Sequence, residues 1–220
     1  GGCDIELAQL AMKQLAHFHG PVWGNTSLNH ELITRSADNG DTLKALYDAL
    51  SPGFLSRYAN HLTEAEKSMV QLIGENLVAY VNNNRGPDTL IHIDYRLDNM
   101  MFGGPYPLTV IDWQSIAYGC SLNDASYFVG TSIDVSVRAE NDEYLLREYY
   151  KELSTYDVDL NWDECWKYYC HNAPAGLIMA VVASMIVGET KRGNEMFMVM
   201  ARRSAKMCQD LDAIAIIRQG

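Results

Sequence analysis

The sequence predicts one mainly α-helical domain with a small β-hairpin set into its middle. Apolar residues recur at helical spacing before residue 82 and again after residue 123. Between them, from Thr89 to Ile111, short apolar runs flank a turn containing Gly103, Gly104, Pro105 and Pro107. No repeat, low-complexity tract or linker divides the 220 residues, so a single domain, 1–220, is expected.

The elements run in order. Asp4 caps a helix from Ile5 to His19, with Leu7, Leu10, Ala11, Leu15 and Phe18 on one face, and Gly20-Pro21 ends it. A loop with Trp23, Gly24 and Asn25 leads to a helix capped by Asp41 or Thr42. That helix is expected to stop near Leu50, before Pro52-Gly53, with a short helix through Tyr58 after it. Thr63 and Glu66 form a capping box for a helix carrying Met69, Leu72, Ile73, Leu77 and Tyr80, closed by Asn82 to Pro87. Thr89–His92, Met100–Phe102 and Leu108–Ile111 read as three short strands of one small sheet.

Helices resume over Asp124–Gly130 and Glu140–Leu153. A further helix has Asn161 and Glu164 at its start and Trp162, Trp166, Tyr168 and Tyr169 as core aromatics. The uncharged run Ala173–Val187 reads as a helix buried on all sides, and one long helix is expected from Asn194 to Ile216.

The composition excludes some functions. With 28 acidic and 17 basic residues, the chain carries a net charge of −11. Nucleic acids and anionic membranes are bound through clustered lysine and arginine, so neither is an expected partner. Ala173–Val187 is too short to cross a bilayer, which needs roughly 20 residues. The five cysteines (Cys3, Cys120, Cys165, Cys170 and Cys208) form no C-x-x-C pair and do not match zinc spacings. Reduced, buried thiols and no signal-peptide text point to the cytoplasm. His17 and His19, at a helix end, are expected to have a surface or capping role.

The chemistry concentrates between Leu90 and Trp113. His92, Asp94 and Asn99 form H-x-D-x-x-x-x-N, and Asp112 ends an apolar run 18 residues after Asp94. Phosphoryl transfer from a nucleotide needs a carboxylate at the acceptor hydroxyl and hard oxygen ligands for magnesium. Asp94 suits the first role, and Asn99 and Asp112 suit the second. Arg96 is expected to pair with an acidic residue or to steady a phosphate. Asp98 is a solvent-facing neighbour open to substrate or metal contact. The array parallels that of protein kinases, but the arginine of H-R-D, the D-F-G text and A-P-E are missing.

HIDYRLDNMMF, then VIDWQ, then LNDASYF resembles the aminoglycoside phosphotransferase and choline-kinase-like superfamily. Its usual text is H-G-D-x-x-x-x-N, then I-D-W or I-D-F, then D-x-A or D-x-S at a helix start. Trp162 to Trp166 and GETKRGNEMFMVMARR are similar to the carboxyl-terminal part of bacterial members. The resemblance implies the C-terminal helical lobe of a protein-kinase-like fold. The catalytic loop and metal site would lie at 90–114, and acceptor-side helices at about 122–216. It implies Asp94 as catalytic base, Asn99 and Asp112 as ligands of Mg2+, His92 as a brace of the loop and Asp124 as its support. Ile93 stands where the family has glycine, and its β-branch restricts the backbone.

The residues before His92 read as helices, with no V-A-I-K-like strand or glycine-rich strand pair, so the N-terminal β lobe is expected to be absent from this chain. The implied function is ATP-dependent phosphorylation of a small-molecule hydroxyl, with low activity for this piece alone. The region of Asp134, Glu140, Asp142 and Glu143 corresponds to the family's acceptor side. It reads either as an acidic pocket for amines, with Asp134 touching substrate, or as a solvated helix start. A non-catalytic kinase-like binding module and a magnesium-dependent phosphohydrolase are the alternative functions.

Overall fold

The computed structural model describes residues 2–30, 40–84 and 86–219, so Gly1 and the expected contribution of Arg85 to a helix-ending turn lie outside it. Helix α1 (Ile5–His19) begins where Asp4 accepts a hydrogen bond from the Leu7 amide. Helix α2 (Gly40–Arg57) differs from expectation, because it runs straight through Pro52 instead of breaking there. Proline removes a helical hydrogen bond. Buried Tyr47 and Phe54, on either side of it, hold the helix against its neighbours. Gly53 lets α2 approach helix α7 (Ala175–Ile186) closely, since a Cβ there would lie 2.7 Å from Met185 Cε. Helix α3 (Glu64–Asn82) carries the full Thr63–Glu66 capping box.

The strands differ from a single small sheet. Strand β1 (Asp88–Ile91) does not join β2 (Met100–Phe102) or β3 (Leu108–Val110); those two form their own antiparallel hairpin, with Met101 opposite Thr109. Strand β1 pairs instead with β4 (Ala117–Cys120), Leu90 opposite Tyr118. The four residues of β4 are all buried, so the strand has no alternating pattern to betray it.

Helix α4 (Leu122–Ser132) is the centre of the domain, and every one of its residues is buried. Around it pack α5 (Val135–Leu153), α6 (Trp162–His171), α7 (Ala175–Ile186) and α8 (Lys191–Asp210), with α1 against α5 and α2 against α3 and α7. The expected final helix is two. Asp212 takes φ +48° and ends α8, and α9 (Ala213–Gln219) turns back so that Ala213 and Ile217 enter the core near α3 and α6. Trp162–Ile186 is long and apolar enough, by length and composition alone, to cross a membrane. It is broken at Asn172–Pro174 into α6 and α7, and 67% of its apolar window is buried inside the domain.

Three acidic residues at the start of α5, Asp134, Asp142 and Glu143, each have a separate partner. Asp134 caps α5, accepting from the Ser136 amide and hydroxyl. Glu143 pairs with Arg147 on the surface. Asp142 is buried, pairs with the fully buried Arg138 and accepts from the Tyr169 hydroxyl at 2.5 Å. Arg138 also pairs with Asp210, tying α5 to α8.

Candidate active site

The site forms where β1 runs out. His92 and Ile93 come directly after the strand, and both of their amides donate to one carboxylate, that of Asp124, at 2.6 and 2.8 Å. Asp124 is wholly buried in the first turn of α4, where the helix dipole favours a negative charge. Asp124 is therefore a two-pronged clamp on the backbone of His92 and Ile93. His19 lies behind it, fully buried rather than at the surface. Its Nδ1 meets the Tyr149 hydroxyl at 2.8 Å, and its Nε2 is 3.5 Å from Asp124.

Burial pushes His19 below its ordinary value of 6.5, and Asp124 offsets this only in part. Burial likewise lowers His171. For both, the unfolded chain binds a proton that the folded one rejects, so their contribution is intact above pH 6.5 and is lost as the pH falls below it. The melting temperature should therefore fall between pH 7 and pH 5.5. His19→Gln should flatten that slope; an unchanged slope in that variant would exclude His19 as its source.

Ile93 adopts φ +71°, the left-handed region that glycine enters without strain. The clamp on its amide enforces this conformation on a β-branched residue. The strain is about 1–2 kcal/mol, close to what the half-buried side chain gains from its contacts. Ile93→Gly should therefore change unfolding stability by less than about 1 kcal/mol in a urea titration, because the two effects oppose. A loss of more than about 2 kcal/mol would show that the strain is small.

Asp94 comes next, with its carboxylate held on both oxygens. Oδ1 accepts from the Tyr127 hydroxyl at 2.8 Å and faces Arg96 Nε at 2.9 Å. Oδ2 accepts from the Asn99 amide at 2.8 Å, and the same amide nitrogen holds the Asp94 carbonyl. A carboxylate offers about four acceptor positions. Two are occupied on Oδ1 and one on Oδ2, which leaves one position on Oδ2. Tyr127 was not singled out from the sequence, although a signal existed. It lies three residues after Asp124 on the same face of α4, so the helix that clamps His92 and Ile93 also presents Tyr127 to the neighbouring Asp94.

The structure brings Asn99 and Asp112 together through the backbone. The Ile111 amide donates to the Asn99 carbonyl at 2.9 Å, and His92 Nε2 meets the Ile111 carbonyl at 3.0 Å. His92 thus ties the loop to the peptide that carries Asp112. Asp112 is exposed and takes φ +64°, a left-handed conformation that aspartate tolerates better than most residues. Among the described residues, neither its carboxylate nor the Asn99 amide oxygen has a hydrogen-bond partner, and no cluster of three histidine, cysteine or acidic residues could hold a metal. Two hard oxygen donors fit magnesium, which keeps waters and phosphate oxygens as its other ligands.

Arg96 forms the expected ion pair, with Asp94 and also with Asp98 at 3.2 Å. Its carboxylate partners more than offset burial and raise its pKa. Asp98 additionally faces Arg192 at 3.8 Å. Asp134 stays at the start of α5 as a helix cap and does not line the cavity beside Asp94. That cavity, about 370 Å³, is walled by Met179, Val187, Met196, Phe197 and Met200 from α7, α8 and their connection. On the other flank, Met101 and Ile111 of the hairpin are 59% and 41% exposed next to Asn99 and Asp112.

Solved structures share the fold. The chain is similar in structure to spectinomycin phosphotransferase in complex with ADP and spectinomycin, at 14% identity and a TM-score of 0.50, over 96% of this chain and 65% of that one. It is also similar to an ADP-bound aminoglycoside phosphotransferase, at 15% identity and a TM-score of 0.47, over 93% of this chain and 66% of that one. The chain thus spans about two thirds of the length of these enzymes and has the fold of their helical lobe. No curated protein matches it. The model of the ecdysteroid kinase-like family matches residues 1–162, and the chain belongs to that family, within the kinase-like superfamily.

Proposed function

We propose that this chain supplies the catalytic loop and acceptor side of an enzyme that moves the γ-phosphate of ATP to the hydroxyl of a small apolar molecule. The observation that carries the reading is the Asp94 carboxylate, fixed by Tyr127 and Asn99 with one acceptor position left on Oδ2, on the wall of a methionine-lined cavity. An alcohol in that cavity would donate its proton to Oδ2. The bonds on both oxygens would stop the carboxylate from rotating away, which is the positioning that phosphoryl transfer demands.

Asn99 and Asp112 would hold magnesium, which would neutralise charge on the nucleotide phosphates. The exposed Met101 and Ile111 beside them offer an apolar surface for a base. The ADP in the spectinomycin phosphotransferase structure supports a nucleotide as the donor. The apolar lining of the cavity favours an apolar alcohol over a polyamine. The reading puts the enzyme in the cytoplasm, where ATP is made available to it.

A second reading, a binding module without turnover, is favoured by Arg96, whose ion pair occupies the proposed base. A panel of apolar alcohols and aminoglycosides separates the possibilities when ATP consumption is measured with each. Consumption that depends on an apolar alcohol supports the kinase. Phosphate release that needs no acceptor would make the protein a hydrolase, and silence across the panel with intact ATP binding would make it a binding module.

A further inference from the structure

A smaller cavity, about 110 Å³, lies next to the catalytic loop. Ile93, Tyr127 and Met179 line both it and the 370 Å³ cavity beside Asp94. Leu43 of α2 and Ile178 and Val182 of α7 add to its apolar wall. Its polar residues, Tyr80 and Asn123, are engaged with each other and with Asn172. The space is too small for a ligand of its own, since small-molecule sites run to about 300–1,000 Å³. Taking the roughly 30 Å³ of a liquid water as the measure, it has room for about three groups of methylene size.

The three shared residues are not equivalent. The Tyr127 hydroxyl donates to Asp94, so its ring is tied to the proposed base. Met179 is unbranched and can change rotamer. Ile93 is stiff at its β-branch, and its amide is held by Asp124 at 2.8 Å. It also precedes Asp94 directly, so it borders the place where the carbon bearing an acceptor hydroxyl would sit. Its backbone, at φ +71°, is one that glycine takes without strain. The local backbone therefore gives no reason for a branched side chain here. What the side chain does is occupy space between a cavity large enough for a ligand and one that is not.

We propose that Ile93 is a specificity-determining residue that limits the acceptor to one apolar arm. An alcohol whose hydroxyl lies at Asp94 extends one chain along the methionine-lined wall. A second chain on the same carbon would need the 110 Å³ space, and Ile93 closes it off. Primary alcohols are then favoured over secondary ones with a long second arm. This rests on the proposed function for the position of the hydroxyl, but the selection acts on binding and does not require turnover.

The test is calorimetric titration of the 220-residue chain, without nucleotide, with 1-nonanol and its isomer 4-nonanol. The isomers have the same atoms, and the second carries a propyl arm on the hydroxyl-bearing carbon. A buried methylene is worth about fourfold in affinity, so exclusion of that arm should favour 1-nonanol by at least about tenfold. Ile93→Ala and Ile93→Gly, each checked for folding by its melting curve, should erase the margin. Adding Ala175→Leu to Ile93→Ala refills the small cavity from α7 and should restore it. Ala175→Leu alone should leave 1-nonanol binding within about twofold of the parent. Equal binding of the isomers by the parent chain, or no binding of either, would overturn the proposal. So would a margin that survives both Ile93 substitutions, or one that Ala175→Leu does not restore. Adding ATP and measuring phosphate transfer tests the kinase reading apart from this. A margin set by residue 93 without transfer would keep the role of Ile93 and remove the kinase. Equal transfer to both isomers by the parent chain would keep the kinase and remove the role of Ile93.

Discussion

Replacing Asp94 by asparagine should lower phosphate transfer by about 10²–10⁴-fold, the usual contribution of a positioned base. Asparagine keeps the volume and can still accept one hydrogen bond, from Tyr127 or from Asn99. It loses the charge that orients Arg96 and takes the proton. Asp94 touches neither the hairpin surface at Met101 and Ile111 nor the Asp112 carboxylate, so nucleotide affinity should stay within about twofold. Single-turnover transfer and nucleotide titration measure the two quantities separately. Undiminished transfer would remove Asp94 from the reaction. A parallel collapse of nucleotide affinity would show that it acts in donor binding instead.

The second large effect concerns Asp124, which touches neither substrate nor metal in this reading. Asp124→Ala strips the partner from two amides, those of His92 and Ile93, at a position with no access to water. Each hydrogen bond to a charged group contributes about 1.5–3 kcal/mol. The loss should be about 3–5 kcal/mol, or roughly 10 °C in melting temperature for a domain of this size. Transfer should fall as well, because without the clamp nothing holds Ile93 in its left-handed conformation. Asp124→Asn keeps one acceptor oxygen and should lie between the two. A melting curve unmoved by Asp124→Ala would mean that the loop holds itself.

Much of this was readable in the chain because the signals were local. Asp4, the Thr63–Glu66 pair and Asn161 begin helices where their side chains can reach back to exposed amides, and they do so here. Asp94 and Asn99 meet because a short loop joins them. The failures are those of tertiary context. Pro52 sits inside a helix because packing on both sides outweighs one missing hydrogen bond. Strand β4 exists because β1 needs a partner, not because Ala117–Cys120 has strand texture. Asp134, Glu143 and Asp142 went to a cap, a surface pair and a buried arginine, and the last of these uses depends on a residue as distant as Asp210. The cavity beside Asp94 was also invisible, since its walls come from helices about 100 residues further on.

The bond from His92 to the Ile111 carbonyl has a consequence for how the site meets its ligands. Together with the bond from Ile111 to Asn99, it joins the residues that would face the acceptor and those that would face the donor into one rigid body. Entropy lost in assembling these groups is lost once, when the chain folds, and not again at each turnover. The two sides of that body differ in stiffness. The donor side is fixed by backbone bonds, whereas the acceptor side is walled by methionines that can change rotamer. Variation in what the protein accepts should therefore leave the donor side untouched, so related chains can diverge in acceptor without rebuilding the loop.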